Sequence, residues 1–330
     1  MDFALSSDQE LLRDTARALM ARECPTSLVR DHMNEPQAAA PLWEHLANFA
    51  ALGTGPTTDL CLFAEEAGFV AAPGPFFATT ALFAPLLDAV GSNRLDATLA
   101  GELTGTVALA GDDGIWQVNA DPVKTFVLEA DVVDLVAIVG AGPSVTLVEQ
   151  PAARRVVTMD SSRRVFEVDV AAVADGDLFA LDPVAIVELI DRATVVLAAE
   201  MVGTTQRLFE MALEYAKQRY QFGVPIGSFS AIQHKLVDMS LDLERARAAV
   251  YYAAMAIDAG DDDRHRAGHV AKAAVGEAAK RAAKDGIQIH GGIGFTWEHD
   301  LHLFMRRAYA SEALLGATGW HHDRLAELLF

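Results

Sequence analysis

The sequence predicts an α+β fold in which an N-terminal helical domain, a middle antiparallel β domain and a C-terminal helical bundle follow one another along 330 residues. Three observations carry that expectation. Apolar residues recur at helical spacing over residues 7–90, shift to β-branched runs over 104–179, and return to helical spacing after Asp182-Pro183. The expected boundaries are 1–103, 104–180 and 181–330.

In the first zone Leu11, Leu12, Ala16 and Leu19 set the helical period, and residues 63–69 repeat it. Pro41, Gly53, Gly55, Pro56, Pro73 and Pro75 end the helices, since proline lacks a backbone donor and glycine disfavours helical order. In the second zone strands are expected over 132–139, 145–148 and 155–159. Turn chemistry separates them at Gly111-Asp112-Asp113-Gly114, Gly140-Ala141-Gly142-Pro143 and Asp160-Ser161-Ser162. No helix-length pattern lies between the strands, so an antiparallel sheet or barrel is expected rather than parallel β-α-β units. In the third zone Asp182 is a cap residue and Pro183 suits the first helical position. One long helix should run toward Tyr215, break at Gly223, Pro225 and Gly227, and be followed by helices over 229–259, 264–289, 301–314 and 320–329. Long antiparallel helices with short loops make a bundle.

Composition narrows the function. With 26 Lys+Arg against 46 Asp+Glu the net charge is −20, which disfavours nucleic acid, a ligand held by clustered cations. The 52% hydrophobic content suits a large core. The most apolar stretch, residues 185–203, is interrupted by Glu188, Asp191, Arg192 and Glu200, so no membrane span is expected. Met1-Asp2-Phe3 lacks the basic start of a signal peptide, and Cys24 and Cys61 are too few for a disulfide framework or a four-thiolate metal site. A reducing cytoplasm is the expected compartment. The acidity is uneven: residues 1–180 carry 10 basic and 26 acidic side chains, whereas residues 181–330 carry 16 and 20. An anionic ligand is therefore expected on the C-terminal part.

Two stretches could carry chemistry. In Arg219-Tyr220-Gln221-Phe222-Gly223-Val224-Pro225-Ile226-Gly227 an arginine ends a long helix just before a Gly/Pro turn. Its fork can grip a phosphate or carboxylate there, or simply complement the helix dipole. In Gln288-Ile289-His290-Gly291-Gly292-Ile293-Gly294-Phe295 the glycines allow close backbone approach to a ligand, or merely stop a helix. His299 and His302 have a spacing that would permit shared metal ligation, but no further ligands accompany them, so no metal site is expected. Packing and subunit pairing are the reading for these two with Arg306 and Arg307. His321-His322 reads as exposed surface, and Asp261-Asp262-Asp263 as a solvated loop.

Taken with the run from Ser228 to Met239, these motifs make the chain resemble the acyl-CoA dehydrogenase family, most strongly over residues 183–310. The resemblance implies a helical, β, helical tetrameric protein. It would hold FAD, remove two hydrogens across the α,β bond of an acyl-CoA thioester, and pass electrons to an electron-transferring flavoprotein. It also implies that Arg219, Gln221 and Phe222, with Gln288, Gly291 and Gly292, hold the pyrophosphate and adenosine side of an FAD whose ring rests on a neighbouring subunit.

The departures from the family pattern are as informative. Ser230 stands where the family often has glutamine. Val107-Ala108-Leu109-Ala110-Gly111-Asp112 occupies the place of a flavin-ring segment of the form T-E-P-x-x-G-S-D. Leu315, in Leu314-Leu315-Gly316-Ala317, stands in place of the base of Y-E-G-T, and Ala193 in place of a subgroup's alternative base. Glu200, about two turns after Ala193, is the nearest substitute. As a base it would be a buried acid with a raised pKa; otherwise it would make an inter-subunit ion pair or orient a ligand. The helical domain is also short, with a brief stretch over 34–41. These features resemble the short subunit of α2β2 acyl-CoA dehydrogenases of actinobacterial steroid breakdown, in which a longer family member would supply the base, flavin bed and acyl pocket. The alternatives are a self-sufficient homotetramer using Glu200 and a structural or regulatory subunit without FAD.

Overall fold

In the computed structural model, which describes residues 4–142, 144–172 and 176–330, the chain opens on a capping box. The Ser6 hydroxyl accepts from Gln9 N while the Gln9 side chain accepts from Ser6 N. Met1, Asp2 and Phe3, and Pro143 of the expected turn, lie outside the described residues.

The first zone folds as α1 (Ser7–Glu23), α2 (Thr26–Asn34), α3 (Ala40–Leu46), α4 (Thr57–Phe69), a π-helical stretch (Ala78–Phe83) that runs into α5 (Ala84–Ala89), and α6 (Leu95–Leu99). Ala16, Leu19 and Met20 of α1 are buried, whereas Leu11 faces outward. The last zone comprises α7 (Pro183–Gln218), α8 (Ser230–Asp258), α9 (Arg264–His290), α10 (Leu301–Ala313) and α11 (Thr318–Leu329). Asp182 caps α7 as expected, its carboxylate accepting from Val184 N at 2.9 Å.

Helices α4 and α7 cross at two glycines. A Cβ on Gly203 would lie 1.8 Å from Glu65 O, and one on Gly68 would lie 1.9 Å from Glu200 O. Only a missing side chain permits that backbone approach. Thr204 Oγ1 then donates to Gly68 O at 3.0 Å, tying the crossing.

Between the helical zones lie β1 (Gly105–Ala108), β2 (Val123–Leu128), β3 (Leu135–Val139), β4 (Ser144–Glu149), β5 (Ala153–Val156), β6 (Val165–Asp169) and β7 (Asp177–Ala180). They form a four-stranded sheet ordered β1-β3-β4-β7 and a three-stranded sheet ordered β2-β6-β5. The pairings are antiparallel except β1 with β3. That parallel pair needs no crossover helix, because the chain passes through β2 in the other sheet before returning. The expected strand over 132–139 begins only at Leu135, since the Asp134 carboxylate accepts from both Thr104 N and Thr104 Oγ1 at 2.8 Å. Val127, Val136, Ile138, Val148, Phe166 and Val168 fill the space between the sheets, and a larger apolar core runs from α1 through β1, β3 and β4 into the bundle.

One surface expectation is corrected. His321 is 1% exposed, because α11 packs its ring against His269 of α9; His322 stays outside. Among the described residues no helix is long and apolar enough to cross a membrane.

Candidate functional site

Helix α7 ends at Arg219, and the chain turns through β8 (Tyr220–Gln221) and β9 (Val224–Pro225). Phe222 at φ +54° and Gly223 at φ +83° supply the paired left-handed conformation that a tight hairpin requires. This projects the motif outward: Arg219 and Gln221 are exposed, and Phe222 is 94% exposed. The second motif ends α9 beside it, with Gln288, Gly291 and Gly292 exposed and Gly291 at φ +63°. Tyr215 of α7 stacks on His290 of α9 with centroids 4.4 Å apart, bringing both motifs to one end of the bundle. Lys235 of α8 pairs with Asp285 of α9 at the same end.

This end has the chemistry an anion needs. Arg219 has no ion-pair partner among the described residues, so its guanidinium is available. A Cβ on Gly291 or Gly292 would meet nothing within 4 Å, so the space beyond their backbone lies open. Gly291 is needed for its left-handed φ, but among the described residues nothing crowds a side chain at position 292. The donor set and open cradle fit the pyrophosphate and adenosine side of FAD. The stretch in place of the flavin-ring segment is engaged within the chain. Val107, Ala108, Leu109 and Ala110 are buried; Leu109 O accepts from Asn119 Nδ2, and Ala110 O and Gly111 O from Thr125 N and Oγ1, at 2.9, 2.9 and 2.7 Å.

Glu200 lies where α7, α10 and the β zone meet. It is 5% exposed, and one carboxylate oxygen accepts from Arg307 at 3.1 Å and from Arg163. Arg307, 1% exposed, also donates Nε to Asp160 at 2.6 Å and Nη2 to Ser162 Oγ at 2.9 Å, and reaches the carbonyls of Ala71 and Ala72. Burial works against the Arg307 charge, but Asp160 and Glu200 outweigh it and hold its pKa above the ordinary value. Burial likewise pushes the Asp160 carboxyl up, yet Arg307 and the Ser162 hydrogen bonds bring it below the usual carboxylate range. The network therefore contains two carboxylates and two guanidiniums. Beside it remains a void of about 30 Å³, walled by Phe76, Phe77, Leu128 and Val196 among others. That is space for a water or two and not for an acyl chain.

The two positions that stand in place of a base, 193 and 315, are hydrocarbon. Ala193 and Leu315 are both buried. Leu315 at φ +57° and Gly316 at φ +98° form the turn between α10 and α11. Lys272 Nζ, fully buried, donates to Glu312 O at 2.8 Å and Gly316 O at 2.9 Å, and burial pushes its pKa down to about 7. His321 Nε2 donates to Leu315 O at 3.1 Å, so in the neutral ring Nδ1 must accept; its partner 2.8 Å away is His269 Nδ1, which must donate. The turn is thus tied to α9 through a lysine and a pair of imidazoles sharing one proton.

The remaining clusters are structural in geometry. Arg306 lies over the exposed Trp297 ring at 4.4 Å, and Asp300 accepts from Arg30 and Thr26, both at 2.7 Å. No group of three metal-ligating side chains occurs among the described residues. A larger cleft of about 1000 Å³ opens between α1, α4, α7 and α8, where Arg17 pairs with Glu66 and Arg247 with Glu65. Sequence reasoning missed Asp160, Arg163, Lys272 and His269. The charged run Asp160-Ser161-Ser162-Arg163-Arg164, interrupting a β-rich zone, was the available signal for the first two.

Residues 184–330 match the family described as "Acyl-CoA dehydrogenase, C-terminal domain". The chain is 32% identical over 320 residues to the acyl-CoA dehydrogenase IpdE2 of Mycobacterium tuberculosis, covering 93% of each. Its fold is similar to that in the solved ChsE4-ChsE5 complex from Mycobacterium tuberculosis, with a TM-score of 0.89, 22% identity, and coverage of 100% of this chain and 99% of that one. It is also similar to a solved variant of the Tcur3481-Tcur3483 steroid ACAD, with a TM-score of 0.87, 24% identity, and coverage of 98% and 97%.

Proposed function

The chain belongs to the acyl-CoA dehydrogenase family, and on that premise we propose that it is the short, non-catalytic subunit of a FAD-dependent heteromeric acyl-CoA dehydrogenase. One observation carries the reading. Both base positions hold buried hydrocarbon, and the nearest acid, Glu200, is gripped by two arginines beside a void of about 30 Å³. A carboxylate that abstracts the α proton must have room beside it for the substrate. Glu200 instead neutralises the network that joins α7, α10 and the β zone. The catalytic carboxylate, the flavin-ring bed and the acyl pocket are assigned to a longer family member.

This chain's own residues act at the bundle end. Arg219 grips a pyrophosphate oxygen through its fork, Gln221 and Gln288 offer amide donors and acceptors, and Gly291 and Gly292 let the backbone approach the nucleotide. Phe222 and Tyr220 cover that contact with apolar surface from which water is excluded on assembly. When bound, FAD supplies the hydride acceptor for α,β-dehydrogenation. The solved two-component complex and the steroid ACAD of the same fold support a heteromeric assembly, which we assign as α2β2 and as acting on a bulky, steroid-derived acyl-CoA.

The test is to produce the chain alone and together with a full-length family subunit, and to compare visible flavin spectra and acyl-CoA-dependent reduction of an electron acceptor. A colourless chain that becomes yellow and active only in the pair is the expected result. A chain that is yellow and turns over by itself would overturn the proposal. Replacing Arg219 with Ala should lower the FAD content of the pair; unchanged content would favour a subunit that makes no FAD contact.

A further inference from the structure

We propose that His290 is a positioning residue for the cofactor site: stacked on Tyr215, it sets the spacing between the Arg219 hairpin and the Gly291-Gly292 turn. The inference rests on the reading of those two motifs as FAD contacts. They leave the bundle from different helices, and among the described residues no hydrogen bond or ion pair joins residues 219–225 to residues 288–296. The two helix ends share the apolar core through Ala212, Ala216 and Ile289, and at the level of the motifs they meet in the ring stack, with centroids 4.4 Å apart and planes at 23°.

Each ring sits one short step from the group that would face the nucleotide. Arg219 N donates to Tyr215 O at 2.9 Å, so a shift of the Tyr215 backbone moves the arginine. His290 immediately precedes Gly291, whose left-handed φ turns the chain toward the open cradle. The imidazole is held on three sides. Its Nδ1–H donates to Gly286 O at 2.8 Å, Tyr215 covers its face, and the His299 ring meets it edge-on at 4.8 Å and 65°. The ring is 4% exposed, and Nε2 is buried without a hydrogen-bond partner. A histidine used only to fill space would leave that acceptor at a cost a leucine avoids. What the imidazole adds over an aliphatic side chain is a flat face whose plane is pinned by the Gly286 hydrogen bond. A pinned face stacked on the Tyr215 ring constrains both distance and tilt between the helix ends, which an aliphatic contact does not.

The test uses the complex of this chain with its longer family partner, stripped of FAD and titrated with FAD while flavin fluorescence and thermal unfolding are followed. His290→Leu fills the volume without a flat face and should weaken FAD binding roughly tenfold while the FAD-free complex stays folded. His290→Phe restores a flat face without the Gly286 hydrogen bond and should bind FAD more tightly than the Leu variant but more weakly than the original. Wild-type affinity in His290→Leu, or a Phe variant as weak as the Leu variant, would overturn the inference. Arg219→Ala separates the two levels of argument. If it weakens FAD binding and His290→Leu does not, only the positioning role falls; if Arg219→Ala also has no effect, the cofactor reading itself falls.

Discussion

Replacing Arg307 with Met should destabilise the chain by about 3–5 kcal/mol, the range for removing one partner from a buried ion pair. The structure sets both the size and the pH dependence of that loss. Arg307 gives Nε to Asp160 at 2.6 Å, Nη1 to Glu200 at 3.1 Å and Nη2 to Ser162 at 2.9 Å. Met refills most of the volume, so the cavity contribution is small; what remains are two buried carboxylates facing the single guanidinium of Arg163. In a chain of this size the loss corresponds to a melting temperature lower by roughly 4–7 °C. Asp160 supplies the sign of the pH effect. Its folded pKa lies below the ordinary value because the charge of Arg307 and the Ser162 hydrogen bonds overcome the effect of burial. Its contribution is therefore complete above about pH 4, its unfolded range, and is lost as pH falls through the folded value. Without Arg307 burial dominates, Asp160 takes up a proton more readily in the folded state, and the deficit of the variant should shrink between about pH 7 and pH 5. Urea unfolding followed by circular dichroism at both pH values measures it. A loss below about 1 kcal/mol, or an equal deficit at both, would refute the account of a charge network held by Arg307. Adding Asp160→Asn should recover part of the loss, because the two residues interact directly.

Three further outcomes follow from other parts of the molecule. Gly203→Ala should cost about 1–3 kcal/mol or more, since its Cβ would sit 1.8 Å from Glu65 O; an unchanged melting temperature would contradict the close α4–α7 crossing. His269 and His321 are pushed down to about 4 and about 3, chiefly by burial. Folding thus favours the neutral rings, and their contribution is complete above about pH 6.5 and declines as pH falls toward the folded values. His321→Leu should flatten the stability-versus-pH curve between about pH 6 and pH 4; a curve of unchanged slope would remove these rings as its source. Phe222→Ser, at a position 94% exposed, should alter the stability of the isolated chain by less than about 0.5 kcal/mol. It should weaken association with the proposed longer subunit, read by sedimentation, and unchanged association would exclude Phe222 from the contact.

The long helices were legible because their information is local. Asp182-Pro183 marks the start of α7, the apolar period carries α7 to α9, and glycines near 223, 260 and 291 end them. Arg219 and the Gln288 loop were legible as motifs for a related reason: each is a contiguous stretch at a helix end, where unpaired backbone and a glycine turn are written in neighbouring residues. The parallel β1–β3 pair was not, because strand partners are chosen by contacts distant in the chain, and nothing in residues 105–139 records which sheet β2 joins. His321 beside His322 looked like surface for the same reason. Its burial depends on His269 across the helix pair, not on its neighbours.

By itself the sequence determined the succession of helical, β and helical zones, the uneven charge, the two helix-end motifs and the absence of an acid at positions 193 and 315. These follow from periodicity, capping and residue identity, all of which act within a few turns of chain. The tertiary structure alone decided what Glu200 does. A lone acid on a long helix reads equally as base, ligand or ion-pair partner until Arg163 arrives from the β zone and Arg307 from α10. Once desolvated together, those charges are held by each other, because a buried carboxylate without its guanidinium is too costly to keep ionised.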